Sequence, residues 1–237
     1  MVFASDSRTN AGVDHVSSFR KMTVYERPGD RVIVVLSSGN LSVTQNAINL
    51  LEGRSRGPHE TLPNIWSTQS LFDAATLLGD ALRDVKRRDA AYLTQNNVDA
   101  NANFIIGGQI GEERQRLFMM YQEGNFIEAT PDTPFFQIGE TKYGKPIIDR
   151  VVNPSTSVID AAKCVLISFD STMRSNVSVG LPIDLVTYAK DSLRIQLQRR
   201  ITETDPYFSM IHQQWGEGLR SVFARLPDPY WDDAGAT

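Results

Sequence analysis

Asp6, Ser7, Arg8 and Thr9 form one polar run near the start of the chain, and Lys21 follows a short way on. Between them they offer a carboxylate, two hydroxyls and two fixed cations, the groups that electrostatic or nucleophilic catalysis draws on. Taken singly, each has an ordinary reading. An Asp and an Arg in one strand make a plain ion pair, and a strand lysine faces water. The other reactive types point nowhere. His15, His59 and His212 are scattered without ligand spacing. Cys164 is the only cysteine, which excludes an intrachain disulfide and a Cys-clustered zinc site. It sits among apolar helical residues, where a buried inert thiol is expected. There is no GxxxxGK[ST] phosphate loop, no HExxH helix and no GxSxG elbow. Gly107, Gly108 and Gly111 lie between strands and lead into no helix, so they make a poor dinucleotide loop. Asn40-Leu41-Ser42 and Asn176-Val177-Ser178 match the glycosylation pattern by chance in a chain without a secretion signal.

The elements that must position these groups follow from the hydrophobic period. Val2 to Ser7 reads as a strand, residues 20–26 alternate, and Arg31 to Leu36 is a continuous apolar run typical of a strand buried on both faces. Ser37-Ser38-Gly39-Asn40 leads into a helix ending near Gly53. Over 67–88, Leu71, Ala74, Leu78, Ala81 and Val85 recur at helical steps, with the Arg83, Lys86, Arg87, Arg88 cluster as a solvated end. Residues 103–138 read as a meander of four short strands, the last being PFFQI. Helices are expected at 143–152 and 157–170. Val177 to Leu185 alternates strictly and pairs in a hairpin with Leu193 to Leu197. Asp205-Pro206 caps a last helix carrying Phe208, Ile211, Trp215, Leu219 and Phe223 on one stripe. This order suits an α+β sandwich, two sheets with helices on both outer faces, in one domain over 1–237 that includes the hairpin and helix at about 177–227.

The chain has 237 residues and a formal net charge of −4, with no broad basic surface for nucleic acid. No stretch approaches the roughly 20 apolar residues of a membrane span. The opening MVFASDSRTN meets charge too early for a signal peptide. A soluble cytoplasmic protein without metal or cofactor is the expectation.

One segment adds more. Val2-Phe3-Ala4-Ser5-Asp6-Ser7-Arg8-Thr9, followed by Lys21 in Phe19-Arg20-Lys21-Met22, resembles the second and third strands of proteasome β-type subunits. Ser37-Ser38-Gly39-Asn40 with Thr44-Gln45 resembles their glycine turn and first helix. Gln137-Ile138-Gly139-Glu140 is similar to the turn before their third helix, and Asp170 with Ser175 to the segment after their fourth. The wording of DSRTNAGVDH, PFFQIGETKYGKP and SNVSVGLPIDL is closer to the bacterial proteasome homologues called Anbu than to HslV or the 20S β-subunits. The resemblance runs through almost the whole chain.

That resemblance implies a four-layer αββα sandwich of the N-terminal-nucleophile hydrolase class and self-assembly into a ring or open spiral. It also implies threonine-type hydrolysis of a peptide or protein substrate. Carried over, Lys21 would be the electrostatic activator and Asp6 its carboxylate partner. Gly39 N–H would be the oxyanion donor, and Asp170 with Ser175 (or Ser171) would complete the network around the amine. Two departures stand out: Asp170 and Ser175 are further apart than in the family, and Glu140 replaces a family serine. In the family a strand of about ten residues, ordinary in length, precedes the segment at Val2 and begins with the catalytic threonine. The expectation is therefore that the nucleophile and its strand lie upstream of Met1, and that 1–237 alone hydrolyses nothing. Thr9 and Thr23 are internal and have no free amine. The alternative is a catalytically silent scaffold subunit.

Overall fold

The computed structural model describes residues 1–10, 16–53 and 62–229. His15 and His59 lie outside the described residues. The order of elements is β1 (Val2–Asp6), β2 (Arg8–Asn10), β3 (Val16–Ser18), β4 (Met22–Arg27), β5 (Arg31–Gly39), α1 (Leu41–Gly53) and α2 (Leu71–Gln95). Then follow β6 (Ala102–Ile110), β7 (Arg116–Met120), β8 (Phe126–Glu128), α3 (Lys145–Val151), α4 (Val158–Ser175), β9 (Ile183–Tyr188), β10 (Ile195–Ile201) and α5 (Pro206–Phe223). One antiparallel sheet has the order β4-β5-β6-β7-β8 and the other β1-β9-β10; β2 and β3 form a small separate ladder.

Strand periodicity separates three apolar layers. Ile33 and Val35 of β5 turn outward with Phe104 and Ile106 of β6 to meet Leu71, Leu78 and Leu82 of α2 and Val43 of α1. The alternate residues Val32, Val34 and Leu36 turn inward, where Phe3, Val186 and Tyr188 of the other sheet cover them. On that second sheet Ile183 and Leu185 face outward onto Leu166 of α4 and Phe208 and Ile211 of α5. Helix, sheet, sheet, helix is the four-layer αββα sandwich expected. Gly107 lets the sheets close: a Cβ there would stand 3.0 Å from the Phe3 ring.

Several boundaries differ from the sequence reading. Helix α2 starts at the Ser70 cap, whose Oγ accepts from Asp73 N at 3.1 Å, and runs to Gln95. The basic cluster therefore ends nothing. Arg83 pairs with Asp80 and Arg87 with Asp84 across one turn, while Arg88 pairs with its neighbour Asp89. Helix α4 likewise continues past residue 170 to Ser175. Residues 134–138, expected as a strand, form no ladder; Phe136 and Ile138 are half-buried against the middle layer, which explains their alternation. The strand expected from Val177 begins at Ile183, after Pro182, which has no N–H to give a ladder.

Candidate functional site

A cavity of about 620 Å³ opens between the sheets and α4. Its floor is the whole length of β1, since every residue from Met1 to Asp6 lines it. β1 pairs with β9 on one edge and has no strand partner on the other among the described residues. Tyr188 N donates to Met1 O at 3.0 Å, and Val2 stands opposite Thr187. Antiparallel alternation then directs the N–H and C=O of Phe3 and Ser5 toward β9, and those of Val2, Ala4 and Asp6 toward the open edge. The cavity thus runs beside a row of backbone groups available to an extended chain.

The ionic centre lies at the Asp6 end of that edge. Lys21 Nζ is 2.7 Å from Asp6 Oδ1, with the two side chains 22% and 10% exposed. Asp6 Oδ2 accepts from Arg8 N at 3.1 Å and from Gly180 N at 3.3 Å. Three donors therefore hold one carboxylate. Lys21 is placed by sheet register: Met22 pairs with Leu36, and Ser37 N donates to Lys21 O at 2.9 Å. Gly39 closes β5 and also lines the cavity. Its φ of +100° and the 2.2 Å that would separate a Cβ from Asn101 O admit only glycine. Beyond it Asn40 Oδ1 caps α1, accepting from Ser42 N at 3.0 Å and Val43 N at 3.2 Å, so a helix N-terminus adjoins the site. A fixed ammonium here favours the unprotonated form of any amine or hydroxyl brought beside it.

Asp170 and Ser175 are not part of this group. Ser168 and Thr172 of α4 line the cavity. Asp170 is two residues past Ser168, about 200° round the helix, and points the other way. Its Oδ1 is 2.6 Å from His212 Nδ1 on α5. Ser175 is exposed at the end of α4 and does not line the cavity.

A different polar chain reaches the cavity. Asn176 Nδ2 donates to Glu140 Oε2 at 2.6 Å, while Asn176 Oδ1 accepts from Ser178 Oγ at 2.6 Å and Ser178 N at 2.8 Å. Glu140 Oε1 is fixed by Lys142 N at 2.8 Å. Glu140 and Ser178 line the cavity with Asp6 and Lys21. In the sequence, Asn-Val-Ser offered only a chance glycosylation match; the signal it carried was the Asx turn of Asn176 onto Ser178. Among the described residues no group of three or more His, Cys, Asp or Glu could hold a metal ion. No described helix is long and apolar enough to cross a membrane.

No family model matches the chain, and no curated protein does. Solved structures do. Anbu (ancestral beta-subunit) from Yersinia bercovieri is 53% identical, with 97% of this chain and 94% of that one covered and a TM-score of 0.90. A helical assembly of the Anbu complex from Pseudomonas aeruginosa is 47% identical, covering 97% and 93%, at TM-score 0.91. Anbu from Hyphomicrobium sp. strain MC1 is 45% identical, covering 97% and 95%, at TM-score 0.89. The sandwich and these likenesses define a proteasome-like fold of the N-terminal-nucleophile hydrolase class. Within that class, the chain belongs to the Anbu family of bacterial proteasome-like subunits.

Proposed function

We propose that the cavity is the active site of a threonine-type peptidase or amidohydrolase, and that its nucleophile sits on an extended segment seated along the open edge of β1. The observation that carries this reading is the Lys21–Asp6 pair, 2.7 Å long, at the end of that edge. A strand paired antiparallel with Val2, Ala4 and Asp6 brings its terminal residue beside the lysine. An N-terminal threonine there supplies its hydroxyl as nucleophile and its α-amine as base. Lys21 lowers the cost of the developing alkoxide, Asp6 holds Lys21 in place, and Gly39 N–H receives the oxyanion. The hydroxyl oxygen bonds to the substrate carbonyl carbon, the amine passes the proton to the leaving nitrogen, and water then cleaves the ester. We assign the orientation of the amine to Ser178, held by Asn176 and Glu140, rather than to Asp170 and Ser175. The substrate class is a peptide or protein and the compartment the cytoplasm. The subunit works in an assembly of its own copies, as supported by the helical assembly of the Pseudomonas aeruginosa relative.

The test is an electrophilic β-lactone probe applied to the natively expressed protein, with intact mass and peptide mapping. One adduct on an N-terminal threonine, lost in Lys21→Ala, is the expected result. An adduct on an internal residue, or peptide turnover that survives Lys21→Ala, overturns the site. A folded protein with neither adduct nor turnover overturns the hydrolase reading in favour of a scaffold.

A further inference from the structure

Asp6, Arg8, Lys21 and Glu140 are the charged side chains that line the cavity. Asp6 and Lys21 satisfy each other at 2.7 Å. Glu140 is held by Asn176 Nδ2 at 2.6 Å and Lys142 N at 2.8 Å. Arg8 is the exception. Its Nη1 donates to Val177 O at 2.9 Å, and no other acceptor among the described residues reaches the guanidinium. The plain Asp–Arg ion pair open to two residues of one strand is not made. Asp6 Oδ2 takes the Arg8 backbone N–H at 3.1 Å instead, which leaves the Arg8 side chain without a carboxylate.

A second observation concerns the seat of that cation. A Cβ on Gly180 would stand 2.5 Å from Arg8 Cζ and Nε and 2.8 Å from Nη2. Gly180 is not among the glycines with positive φ, so its backbone conformation suits other residues. The glycine is needed where it stands because the guanidinium occupies the space of a side chain. Arg8 is thus half-buried and pinned from two sides, by the Val177 carbonyl and the Gly180 backbone. The turn that pins it also serves the ionic centre. Gly180 N donates to Asp6 Oδ2 at 3.3 Å, and Ser178, next to Val177, lines the cavity.

We infer that Arg8 binds a carboxylate of the substrate, within about two residues of the bond that is cleaved. This rests on the reading of the cavity as a hydrolase site. Arg8 stands two residues past Asp6 and is held by the residue before Ser178, so its guanidinium adjoins the reacting centre. A guanidinium fork matches a carboxylate through parallel N–H donors. A fork already fixed by the fold loses little freedom when the anion arrives. The carboxylates of the cavity wall are engaged elsewhere, and so the substrate brings its own. Two groups of a peptide have this chemistry, an acidic side chain and the free C-terminus.

The experiment uses two β-lactones that differ only in carrying a carboxylate or the matching carboxamide. Each is applied to the natively expressed protein, and labelling rates are read by intact mass. Wild type is expected to react at least about tenfold faster with the acid, the scale of a charge-assisted hydrogen bond. Arg8→Gln should bring the two rates together, and Arg8→Lys, which keeps the charge without the fork, should retain part of the lead. Gly180→Ala should shrink the lead by displacing the guanidinium. A merely structural role for Arg8 would slow both lactones alike and preserve their ratio. That result, or equal rates in wild type, overturns this inference and leaves the hydrolase reading standing. A folded wild type labelled by neither lactone overturns both. Two peptides then compete with the acid lactone, one with an internal Glu and an amidated C-terminus, the other with Gln and a free C-terminus. Protection by the first, lost in Arg8→Gln, assigns the side chain; protection by the second assigns the terminus. Protection by neither overturns a peptide carboxylate as the ligand.

Discussion

The Lys21 ammonium, just before β4 of one sheet, meets the Asp6 carboxylate at the end of β1 in the other, 2.7 Å away. This ion pair joins the two sheets at the mouth of the cavity. Each side chain therefore has a structural and a chemical role, and the two can be separated by which partner is removed.

Asp6→Ala strips three donors of their acceptor, and the loss is expected to be about 2–4 kcal/mol in urea unfolding. Lys21→Ala leaves Asp6 with its two backbone N–H donors and should cost less, about 1–2 kcal/mol. Activity should order them differently: Lys21→Ala, though milder for stability, should abolish turnover. Equal stability losses in the two variants would argue against the three-donor account.

Gly39→Ala should be among the most damaging small substitutions. A positive φ and a backbone oxygen 2.2 Å from the new Cβ act together, at an expected cost of about 2–5 kcal/mol. Gly29→Ala is the matched control, since its φ is +79° and nothing lies within 4 Å of its Cβ. Its loss should reflect backbone strain alone, about 1–3 kcal/mol. Thermal melts of both variants check the difference.

Asn176 bridges Glu140 and Ser178, so its chemistry is asymmetric. Asn176→Asp places a second carboxylate at the 2.6 Å contact with Glu140 Oε2, where a donor is required. It should destabilise the loop more than Asn176→Ala does, and should lower kcat more than it raises KM. A carboxamide-to-carboxylate change that leaves kcat untouched would remove this chain from the mechanism.

Asp170 and His212 tie α4 to α5 at 2.6 Å, away from the cavity. Asp170→Asn and His212→Gln should leave peptide turnover unchanged and lower the unfolding midpoint slightly. Loss of turnover in Asp170→Asn, with stability retained, would return the aspartate to the site.

Cys164 is 2% exposed, and burial pushes its thiol above the usual cysteine range. Only the thiolate reacts readily, and a raised pKa keeps the group protonated at neutral pH. Thiol reagents at pH 7–8 should therefore label it only after unfolding, as mass spectrometry with and without denaturant would show.

Much of this architecture is legible in the chain because half-buried elements must repeat with their own period. The stripe of α2 from Leu71 to Val85 follows from that rule, the Asp205-Pro206 start of α5 from capping, and the apolar run of β5 from burial on both faces. The Asp6–Lys21 contact and the turn at Gly39 beside the cavity were also legible, through likeness to proteasome-type strands and turns. What period cannot encode is which surfaces meet. Alternation at Phe136 and Ile138 marks half-burial, and only packing decides that no partner strand is there. The apolar face of α4 was readable, but its phase against the cavity places Ser168 inside and Asp170 on the α5 side. Glu140 and Asn176 are 36 residues apart and meet only because a loop before α3 and the end of α4 share one cavity wall. Local sequence determines the period and the caps, since those forces act within a turn or two of the chain. The pairing of distant polar groups depends on how the layers stack, and so only the tertiary structure decided it.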